Sequence, residues 1–384
     1  MKIGIVSQSY YPRFGGVTEH VHHTALELQR RGHRVTIITS HFRGGEREYG
    51  VPLERVGYNV LIPFNRAFVD FTVGWRLKQD LAALYRRHDF DLVHTHCPLA
   101  PSLPLLAIRA AKCPQVATFH TTGGRTLLQD MFQGYLRGAV ERLDGRIAVS
   151  NTARATAELY FPGHYHVIPN GVDVDTFHPG NAPFERWRDP DKVNLLFVGR
   201  LDPRKGLDVL LAAMPEVIER TQGRARLLIV GDSYLRPKFE ASLAPATRPH
   251  VTFLGHVPIK DLPRWYATGD IFVSPASGNE SFGIVLVEAM AAGRAVVCSD
   301  IPGYRSVVSP DLKNGVMVPP GDPRSLADAL VALANDPERR VLLGARGRQR
   351  ALDFAWPSVT DRIEAVYREV CASPARRGLV HSAA

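Results

Sequence analysis

The sequence lacks the features that mark disulfide scaffolds, metal ribbons and membrane spans. Its 384 residues include only four cysteines, which lie far apart and form no CxxC pair. This excludes a disulfide scaffold and a zinc ribbon, and it favours a reduced cytosolic setting. No segment has the roughly 18 uncharged apolar residues that a spanning helix needs, and the apolar start is too short for a signal peptide. We therefore expect neither a transmembrane helix nor a leader.

Positive charge is concentrated in the first part of the chain. The formal net charge is +9, and residues 1–150 account for +7 of it. Such a basic half predicts an anionic partner, which composition alone leaves open as lipid head groups, nucleic acid or a phosphorylated substrate. A non-catalytic nucleic-acid-binding protein would fit the charge. However, no RNP, zinc-finger or helix-turn-helix pattern supports it, so we predict no nucleic-acid partner.

Strands and helices alternate along the chain in two series. Ile3–Ser7 is typical of a buried strand, Val17–Arg31 of a helix and Val35–Thr39 of the next strand. This βαβ order predicts a parallel sheet. A second series begins near Val193, after a stretch rich in proline and glycine at 170–190. The sequence therefore predicts an α/β protein with two doubly wound halves.

Two glycine-containing loops have the composition of phosphate sites. Gly16 belongs to a Gly-Gly pair between a strand and a helix, where backbone N–H groups can approach a ligand closely. A flexible turn would explain that pair equally well. Arg200 and Lys205 flank a second strand-to-helix loop and could both contact one diphosphate. The alternative there is a solvated basic turn.

The segment 280–288 places two carboxylates around an apolar stretch. If a helix begins near Phe282, Glu280 precedes it and Glu288 lies about two turns in, so both can face one site. Gly283 and Ile284 would offer free N–H groups at the helix start. Carboxylates accept hydrogen bonds from hydroxyls, so a sugar and a ribose are natural ligands. A capped amphipathic helix would explain Glu280 easily and Glu288 poorly.

Seven motifs in order resemble glycosyltransferase family 4, whose members are retaining GT-B enzymes that use nucleotide sugars. They cover nearly the whole chain: GGVxEH (15–20), ATFHTT (117–122), GRIAVS (145–150), IPNGVDxxxF (168–177), GRLxPRKGL (199–207), LIVG (228–231) and ESFGIVLVEAMAAG (280–293). The segments 62–65, 98–103 and 132–134 are similar to the phosphatidylinositol mannosyltransferase branch. That branch moves mannose from GDP-mannose to the inositol ring of a membrane lipid.

The resemblance implies a GT-B fold, with two Rossmann-like domains whose parallel sheets face a central cleft. Residues 1–172 would form the acceptor-binding domain and 173–355 the nucleotide-sugar-binding domain. Residues 356–384 would form a helix that crosses back to the first domain, followed by a tail. The mechanism is commonly drawn as front-face substitution, in which the leaving phosphate takes the acceptor's proton, so that the protein mainly positions groups and stabilises charge.

The resemblance also implies a catalytic set. Arg200 and Lys205 would clamp the donor diphosphate, with the Gly16 N–H beside it. His120 would contact the donor sugar, at its 6-hydroxyl, and Glu280 would hold the sugar's distal hydroxyls. The rest of the implied donor site comprises Val257 and Lys260 for the base, Phe282, Gly283 and Ile284 beside the sugar, and Glu288 for the ribose.

The acceptor side departs from the branch that the chain resembles. Ser9 occupies the position of an aromatic residue that stacks on inositol, and Tyr10 and Tyr11 lie beside it. The stacking residue is therefore shifted to Tyr10 or Tyr11, or the acceptor differs. Arg125 stands where those enzymes have a basic residue near the lipid phosphate, which favours an anionic acceptor.

The segment Trp75–His88 has the pattern of a basic amphipathic helix. An apolar stripe is flanked by four cations: Arg76, Lys78, Arg86 and Arg87. Aromatic residues precede it at helical spacing, from Phe64 to Trp75. This pattern is typical of peripheral contact with an anionic membrane, here the cytoplasmic face. A helix packed on the core with a solvated basic rim is the alternative.

We expect no metal and no other cofactor. Asp173 and Asp175 mimic a metal-binding DxD pair, but in GT-B enzymes arginine and lysine meet the phosphate charge. His94 and His96 would share one face of a strand, and His20, His22 and His23 also suggest a metal site. No cysteine or carboxylate supports a third ligand at a familiar spacing, so hydrogen bonding near a cleft is the better explanation. The motifs do not separate GDP from UDP donors. A family 4 enzyme that uses UDP-glucose, or another nucleotide sugar, on a different lipid or soluble acceptor is the alternative function.

Overall fold

The chain folds into two compact units. The computed structural model describes residues 1–42, 49–64, 67–125 and 127–372. One unit contains residues 1–170 and the helix Trp356–Ala372, and the other contains 171–355. Gly171 and Val172 therefore belong to the second unit and not, as the sequence suggested, to the first, since the Val172 amide donates to the Phe354 carbonyl at 2.8 Å. Asn65 and the tail 373–384 lie outside the described residues.

The first unit is built on a mostly parallel sheet in the order β4-β3-β2-β1-β5-β6-β7-β8. Its strands are β1 (Lys2–Val6), β2 (Arg34–His41), β3 (Leu53–Phe64), β4 (Ala67–Val73), β5 (Leu92–His96), β6 (Gln115–Phe119), β7 (Gly145–Ala148) and β8 (His166–Val167). Its helices are α1 (Gly16–Arg30), α2 (Leu77–His88), α3 (Leu103–Ala110), α4 (Leu127–Val140) and α5 (Asn151–Glu158).

Only β3 and β4, at the edge of this sheet, pair antiparallel among the described strands. The aromatic residues from Phe64 to Trp75 have helical spacing, yet most of this segment belongs to the β3–β4 pair. Val69, Phe71 and Val73 are β-branched or aromatic residues that suit a strand. The helical interpretation of that spacing is therefore wrong, and α2 begins only at Leu77.

The second unit has a six-stranded parallel sheet in the order β11-β10-β9-β12-β13-β14. Its strands are β9 (Val193–Val198), β10 (Ala225–Val230), β11 (Val251–Gly255), β12 (Ile271–Ser274), β13 (Ala295–Ser299) and β14 (Val316–Val318). Its helices are α6 (Leu207–Arg220), α7 (Arg236–Ala241), α8 (Leu262–Thr268), α9 (Ile284–Ala291), α10 (Pro323–Ala334) and α11 (Pro337–Leu352).

Both faces of the second sheet are buried. Along β9, Leu195 and Phe197 pack into one apolar core, while Leu196 packs into another on the opposite face. Successive strand residues point to opposite faces, so a continuous apolar strand needs helices on both sides. This explains why the unit has three layers.

In each sheet the strand order reverses at one point. The chain adds β2 and β3 to one side of β1 and later places β5 on the other side. In the second unit the reversal lies between β9 and β12. Open α/β sheets bind ligands at the carboxyl ends of the strands that flank such a reversal. The loops after these four strands are therefore where a site is expected.

The last described helix, α12 (Trp356–Ala372), packs on the first unit. Ile363 and Tyr367 are fully buried in a core that β1 and α1 share. At the rim, Arg31 of α1 lies 3.1 Å from a carboxylate oxygen of Glu364 and 2.5 Å from one of Asp361. Within the described ranges, no helix is long and apolar enough to cross a membrane.

Candidate active site

Two loops of the second unit bring cations and a carboxylate together at the strand-order reversal. Lys205 lies in a short 3-10 turn after β9, and Glu280 lies in the loop after β12. The Lys205 Nζ is 2.7 Å from Oε1 of Glu280, and the Arg204 Nη1 is 3.0 Å from the same oxygen. The structure therefore brings together two of the predicted residues and adds Arg204, which the sequence analysis missed although it directly precedes Lys205.

Arg204 ties the two loops to each other. Its Nη1 also donates to the Asn279 carbonyl at 3.0 Å, and its Nε lies 3.2 Å from a carboxylate oxygen of Asp202. Its own carbonyl accepts the Ser277 amide at 2.9 Å. These contacts hold the Arg204 guanidinium in place, and the guanidinium in turn holds the Glu280 carboxylate.

A glycine makes the close approach of these loops possible. Gly206 has φ of 70°, in the left-handed region that glycine favours. A Cβ there would lie 1.9 Å from the carbonyl oxygen of Pro275. The PRKG turn can thus sit directly against the end of β12 only because residue 206 has no side chain.

Arg200 is placed differently from Arg204 and Lys205. Its side chain is 59% exposed, and its Nη2 is 3.7 Å from Asp202. A guanidinium that is mostly in solvent can turn towards an arriving anion at little cost. Three cations therefore surround the end of β9, which suits a diphosphate.

Glu288 has a partner that the sequence did not reveal. The helix α9 begins at Ile284 and not near Phe282, so Glu288 lies a little over one turn in. The hydroxyl of Tyr266, on α8, donates to the Glu288 Oε2 at 2.6 Å. Burial and this carboxylate raise the pKa of Tyr266 well above its ordinary value. The phenol therefore stays protonated and orients Glu288.

The residues around the start of α9 differ in how deeply they are buried. Phe282 is 1% exposed and packs against Phe354, so its side chain belongs to the core and could serve a ligand only through its backbone. Gly283 caps the helix with φ of 95°, and Ile284 is half-buried. In the proposed base loop, Val257 packs partly on the core while Lys260 is exposed.

In the first unit, the predicted acceptor tyrosines are buried. Tyr10 is 1% exposed and Tyr11 is 7% exposed. Tyr11 stacks on Tyr49 and donates to Glu19, and the Tyr10 hydroxyl lies 2.9 Å from Nδ1 of His22. Burial therefore does not support a role for either ring in stacking on an acceptor. Gly16, the first residue of α1, is exposed at the helix start.

A polar cluster surrounds Ser9. The Ser9 hydroxyl donates to Asp70, which is 6% exposed. The Arg13 guanidinium lies 2.6 Å from the same carboxylate, and the Asn59 amide donates to it at 3.1 Å. Sequence reasoning had no signal for this cluster, because Asp70 is about sixty residues from Ser9. Arg125 is exposed, 3.6 Å from Asp130.

Four histidines of the first unit form a buried array. Their imidazoles stand on α1, on β5 and just after β6, and they are His20, His94, His96 and His120. His94 and His96 share a strand face with ring centroids 4.3 Å apart, as predicted. Burial lowers the pKa of His20 to about 4, that of His94 to about 3, and those of His96 and His120 well below 6.5. All four are therefore neutral near pH 7.

Three of these histidines are close enough to share a metal ion. Ligand nitrogens of His20, His96 and His120 lie within 4.8 Å of one another. His94 is outside this group, and neither a cysteine nor a carboxylate belongs to it; the fold brings His20 and His120 to His96 from other elements. The same residues also hydrogen-bond, with His96 Nδ1 3.0 Å from His120 Nε2. Asp173, of the DxD-like pair, accepts bonds from the Asp175 and Thr176 amides of its own turn.

The membrane-facing prediction rests on α2, whose apolar stripe is buried. Leu77, Leu81 and Leu84 belong to the core of the first unit, so they are not available to lipid. The cations Arg76, Lys78, Arg86 and Arg87 are all exposed. Arg87 lies 2.6 Å from Glu54. Trp75, just before the helix, is 96% exposed.

The chain matches two family models that together span most of it. The family described as Glycosyltransferase Family 4 matches residues 14–176, and Glycosyl transferases group 1 matches residues 192–336. A phosphatidyl-myo-inositol mannosyltransferase of Mycolicibacterium smegmatis is 37% identical over 96% of this chain and 94% of that protein. A D-inositol 3-phosphate glycosyltransferase of Thermobispora bispora is 33% identical over 75% of this chain and 72% of that protein.

Solved structures share the fold at low sequence identity. Sucrose-phosphate synthase from Thermosynechococcus elongatus superposes with a TM-score of 0.72 at 21% identity, covering 96% of this chain and 98% of that one. Anabaena Alr3699/HepE, in complex with UDP and glucose, gives a TM-score of 0.73 at 21% identity, covering 96% and 99%. These matches and the two sheets confirm the predicted α/β class and GT-B architecture.

Proposed function

Because the chain belongs to glycosyltransferase family 4, we propose that it transfers mannose from GDP-mannose to the inositol ring of phosphatidylinositol, with retention at the anomeric carbon. The observation that carries this proposal is the 37% identity with the mycobacterial phosphatidyl-myo-inositol mannosyltransferase over 96% of the chain. That relative's name gives the sugar and the lipid, and the site in the second unit has matching chemistry.

The proposed chemistry needs charge stabilisation more than a nucleophile. Arg200, Arg204 and Lys205 supply cations for the departing nucleoside diphosphate. Glu280 accepts hydrogen bonds from sugar hydroxyls while Arg204 holds it in place. Glu288, oriented by Tyr266, accepts them from the ribose. The leaving phosphate takes the acceptor's proton, so no metal ion is required, and we expect activity to survive EDTA.

For the acceptor, we propose an anionic lipid at the cytoplasmic face of a membrane. The exposed cations Arg76, Lys78 and Arg86 and the neighbouring Trp75 would contact its surface. Arg125, which is exposed, would meet the lipid phosphate. Tyr10 and Tyr11 are buried. The polar cluster around Asp70 therefore distinguishes this acceptor site from one in which an aromatic ring stacks on the acceptor.

A second candidate keeps the enzyme class and changes the substrates. The relative from T. bispora is named for inositol 3-phosphate, a soluble acceptor. Ser9 in place of an aromatic residue favours some difference in the acceptor. On the donor side, UDP-glucose remains the alternative, because the sequence motifs do not separate GDP from UDP donors.

The test is transfer of labelled sugar with donors and acceptors crossed. GDP-mannose and UDP-glucose would each be incubated with phosphatidylinositol vesicles and, separately, with free inositol phosphate. Labelled lipid from GDP-mannose is expected. Product only on the free phosphate would select the second candidate, and product from UDP-glucose alone would overturn the proposed donor. A parallel reaction in EDTA tests the metal-free mechanism, which restoration of lost activity by Mn²⁺ would contradict.

A further inference from the structure

The hydrogen bond between His96 and His120 has a direction that determines what His120 offers a substrate. We propose that His96 donates its Nδ1–H to Nε2 of His120 and so fixes the His120 tautomer that carries its proton on Nδ1. His120 then acts as a hydrogen-bond donor to a sugar hydroxyl oxygen, with His96 as the positioning residue. The ligand rests on the proposed function, but the tautomer does not.

Each of the two rings carries one proton. His96 is fully buried and His120 is 9% exposed. Their burial disfavours the imidazolium form of both, so each neutral ring has one N–H donor and one lone pair. The 3.0 Å separation between His96 Nδ1 and His120 Nε2 must therefore join an N–H of one ring to the lone pair of the other.

The other nitrogen of His96 decides which ring donates. His96 Nε2 is buried and has no hydrogen-bond partner. If His96 accepted the bond from His120, its proton would sit on Nε2 as a buried and unpaired N–H. If His96 donates instead, only a lone pair is left unpaired. Orphaned buried N–H groups are the rarer case in native structures, so His96 is the donor.

His20 does not provide a hydrogen-bond partner for Nε2 of His96. Its Nδ1 lies 2.9 Å from Oδ1 of Asn170, so its proton belongs on Nδ1. His20 Nε2 is then also a lone pair, which is buried and unpartnered. It makes no hydrogen bond with the His96 ring, since the Nε2 atoms of both residues have no partner.

The position of His120 makes its free nitrogen useful. The residue directly follows Phe119, the last residue of β6, at the carboxyl edge of the sheet where ligands bind. Since Nε2 is occupied by His96, Nδ1 is the nitrogen left for a ligand. A hydroxyl oxygen can accept from it, and the fixed tautomer avoids the cost of reorganising the ring when substrate binds.

A metal ion held by the same three histidines is the competing arrangement. Such an ion would coordinate the lone pairs of His96 and His120. No lone pair would then remain to accept the hydrogen bond between the two rings. It would also bury a divalent charge among neutral ligands, with no carboxylate in the group to offset it. The experiment must therefore separate these two states.

The decisive measurement is the tautomeric state of His120 in the wild-type protein. Long-range ¹H–¹⁵N spectra of protein labelled at histidine, recorded near pH 7.5, would show Nε2 of His120 without a proton and Nδ1 with one. The opposite assignment, or averaging of the two tautomers, would overturn the proposal. A change in the spectra of His20, His96 and His120 on EDTA treatment, reversed by added Zn²⁺, would also overturn the proposal.

Two variants of His96 test its role as a positioning residue. His96→Leu removes the hydrogen-bond donor, so both His120 tautomers should be populated. We expect kcat/KM for transfer to fall about 10- to 100-fold, the loss seen when a metal-ligating histidine loses its hydrogen-bond partner. His96→Asn keeps an amide N–H near the place of Nδ1. It should restore most of the preference for one His120 tautomer and most of kcat/KM. An unchanged tautomer in folded His96→Leu protein would refute the role.

His94→Asn is the matched control. His94 is equally buried in the same array, but its nitrogens contact the Tyr367 hydroxyl and the Thr118 hydroxyl, not His120. The variant should therefore leave the His120 tautomer unchanged. If wild-type protein shows the expected tautomer but transfers no sugar to any acceptor, the proposed function fails while the tautomer assignment stands.

Discussion

At the scale of single residues, the site in the second unit is organised around one carboxylate. Glu280 is the shared partner of Arg204 and Lys205, each within 3.0 Å. In the proposed reaction, Lys205 would turn to the donor diphosphate while Arg204, which also bonds the Asn279 carbonyl, keeps Glu280 fixed. The same carboxylate would thus anchor the cations before binding and accept hydrogen bonds from sugar hydroxyls afterwards.

Replacing Glu280 should therefore affect chemistry more than folding. Glu280→Gln keeps the size and removes the charge that organises Arg204 and Lys205, and we expect kcat/KM to fall about 100-fold. Steady-state transfer assays check this. Glu216→Gln removes a carboxylate from α6 outside the site and should leave the rate unchanged. A Glu280→Gln enzyme with wild-type kinetics would remove Glu280 from the mechanism.

The Tyr266 hydroxyl can be removed to test whether Glu288 binds the ribose, as proposed. Tyr266→Phe deletes only the hydroxyl that holds Glu288, a hydrogen bond worth about 1 kcal/mol. We expect KM for the donor to rise about fivefold with little change in kcat. Calorimetric titration with the nucleoside diphosphate alone should show the same loss of affinity. Unchanged nucleotide affinity would mean that Glu288 does not bind the nucleotide.

At the scale of elements, α12 is held to α1 by packing and by an ionic cluster. Glu364, 7% exposed, has Arg31, His33 and Arg368 within 3.3 Å. Despite the burial, the hydrogen bonds from these three residues hold the pKa of Glu364 below its usual 4.5. The helix is thus fixed by apolar contacts inside and by charge at its rim.

We expect Glu364→Gln to lower the free energy of unfolding by about 1–3 kcal/mol at neutral pH. Because the folded-state pKa is lowered, this contribution is present above about pH 4.5 and is lost as the pH falls further. Urea unfolding at several pH values measures it. Glu369→Gln changes a 63% exposed carboxylate of the same helix and should cost much less.

Helix α2 should bind membranes mainly through its cations, because its apolar stripe is buried. Neutralising Arg76, Lys78, Arg86 and Arg87 together should abolish binding to anionic vesicles, and binding of the wild type should weaken with salt. Arg87→Gln alone should matter least, because Glu54 already pairs with Arg87. Vesicle sedimentation measures both. Unchanged binding by the fourfold variant would assign the contact to another surface.

At the scale of the whole molecule, buried histidines make the first unit sensitive to acid. His20 and His94 have pKa values of about 4 and about 3 when folded, against 6.5 when unfolded. The unfolded state therefore binds more protons below pH 6.5. Each such histidine should cost about 1.4 kcal/mol of stability per pH unit down to its folded pKa.

Thermal unfolding between pH 7.5 and 4.5 tests this expectation. The melting temperature should fall steeply below pH 6.5, and the fall should be shallower in His94→Asn, which has one buried imidazole fewer. A wild-type profile that stays flat down to pH 4.5 would show that the array is open to water.

The sequence by itself determined the family, the two parallel α/β halves and the loops that carry the site. Those features depend on local order: apolar strands, glycines at turns, and motif spacing within a few residues. Arg200, Lys205 and Glu280 could be selected in this way, because each lies in a loop between a strand and the following helix. The reversed strand order then brings Lys205 and Glu280 together.

Only the tertiary structure decided which groups meet across long stretches of chain. It buried Tyr10 and Tyr11, paired Tyr266 with Glu288, and set Asp70 beside Ser9. It also gathered four histidines from separate elements into one array. No local pattern encodes these contacts, because burial and pairing depend on how distant strands and helices pack. The burial of Phe282 against Phe354 is of the same kind.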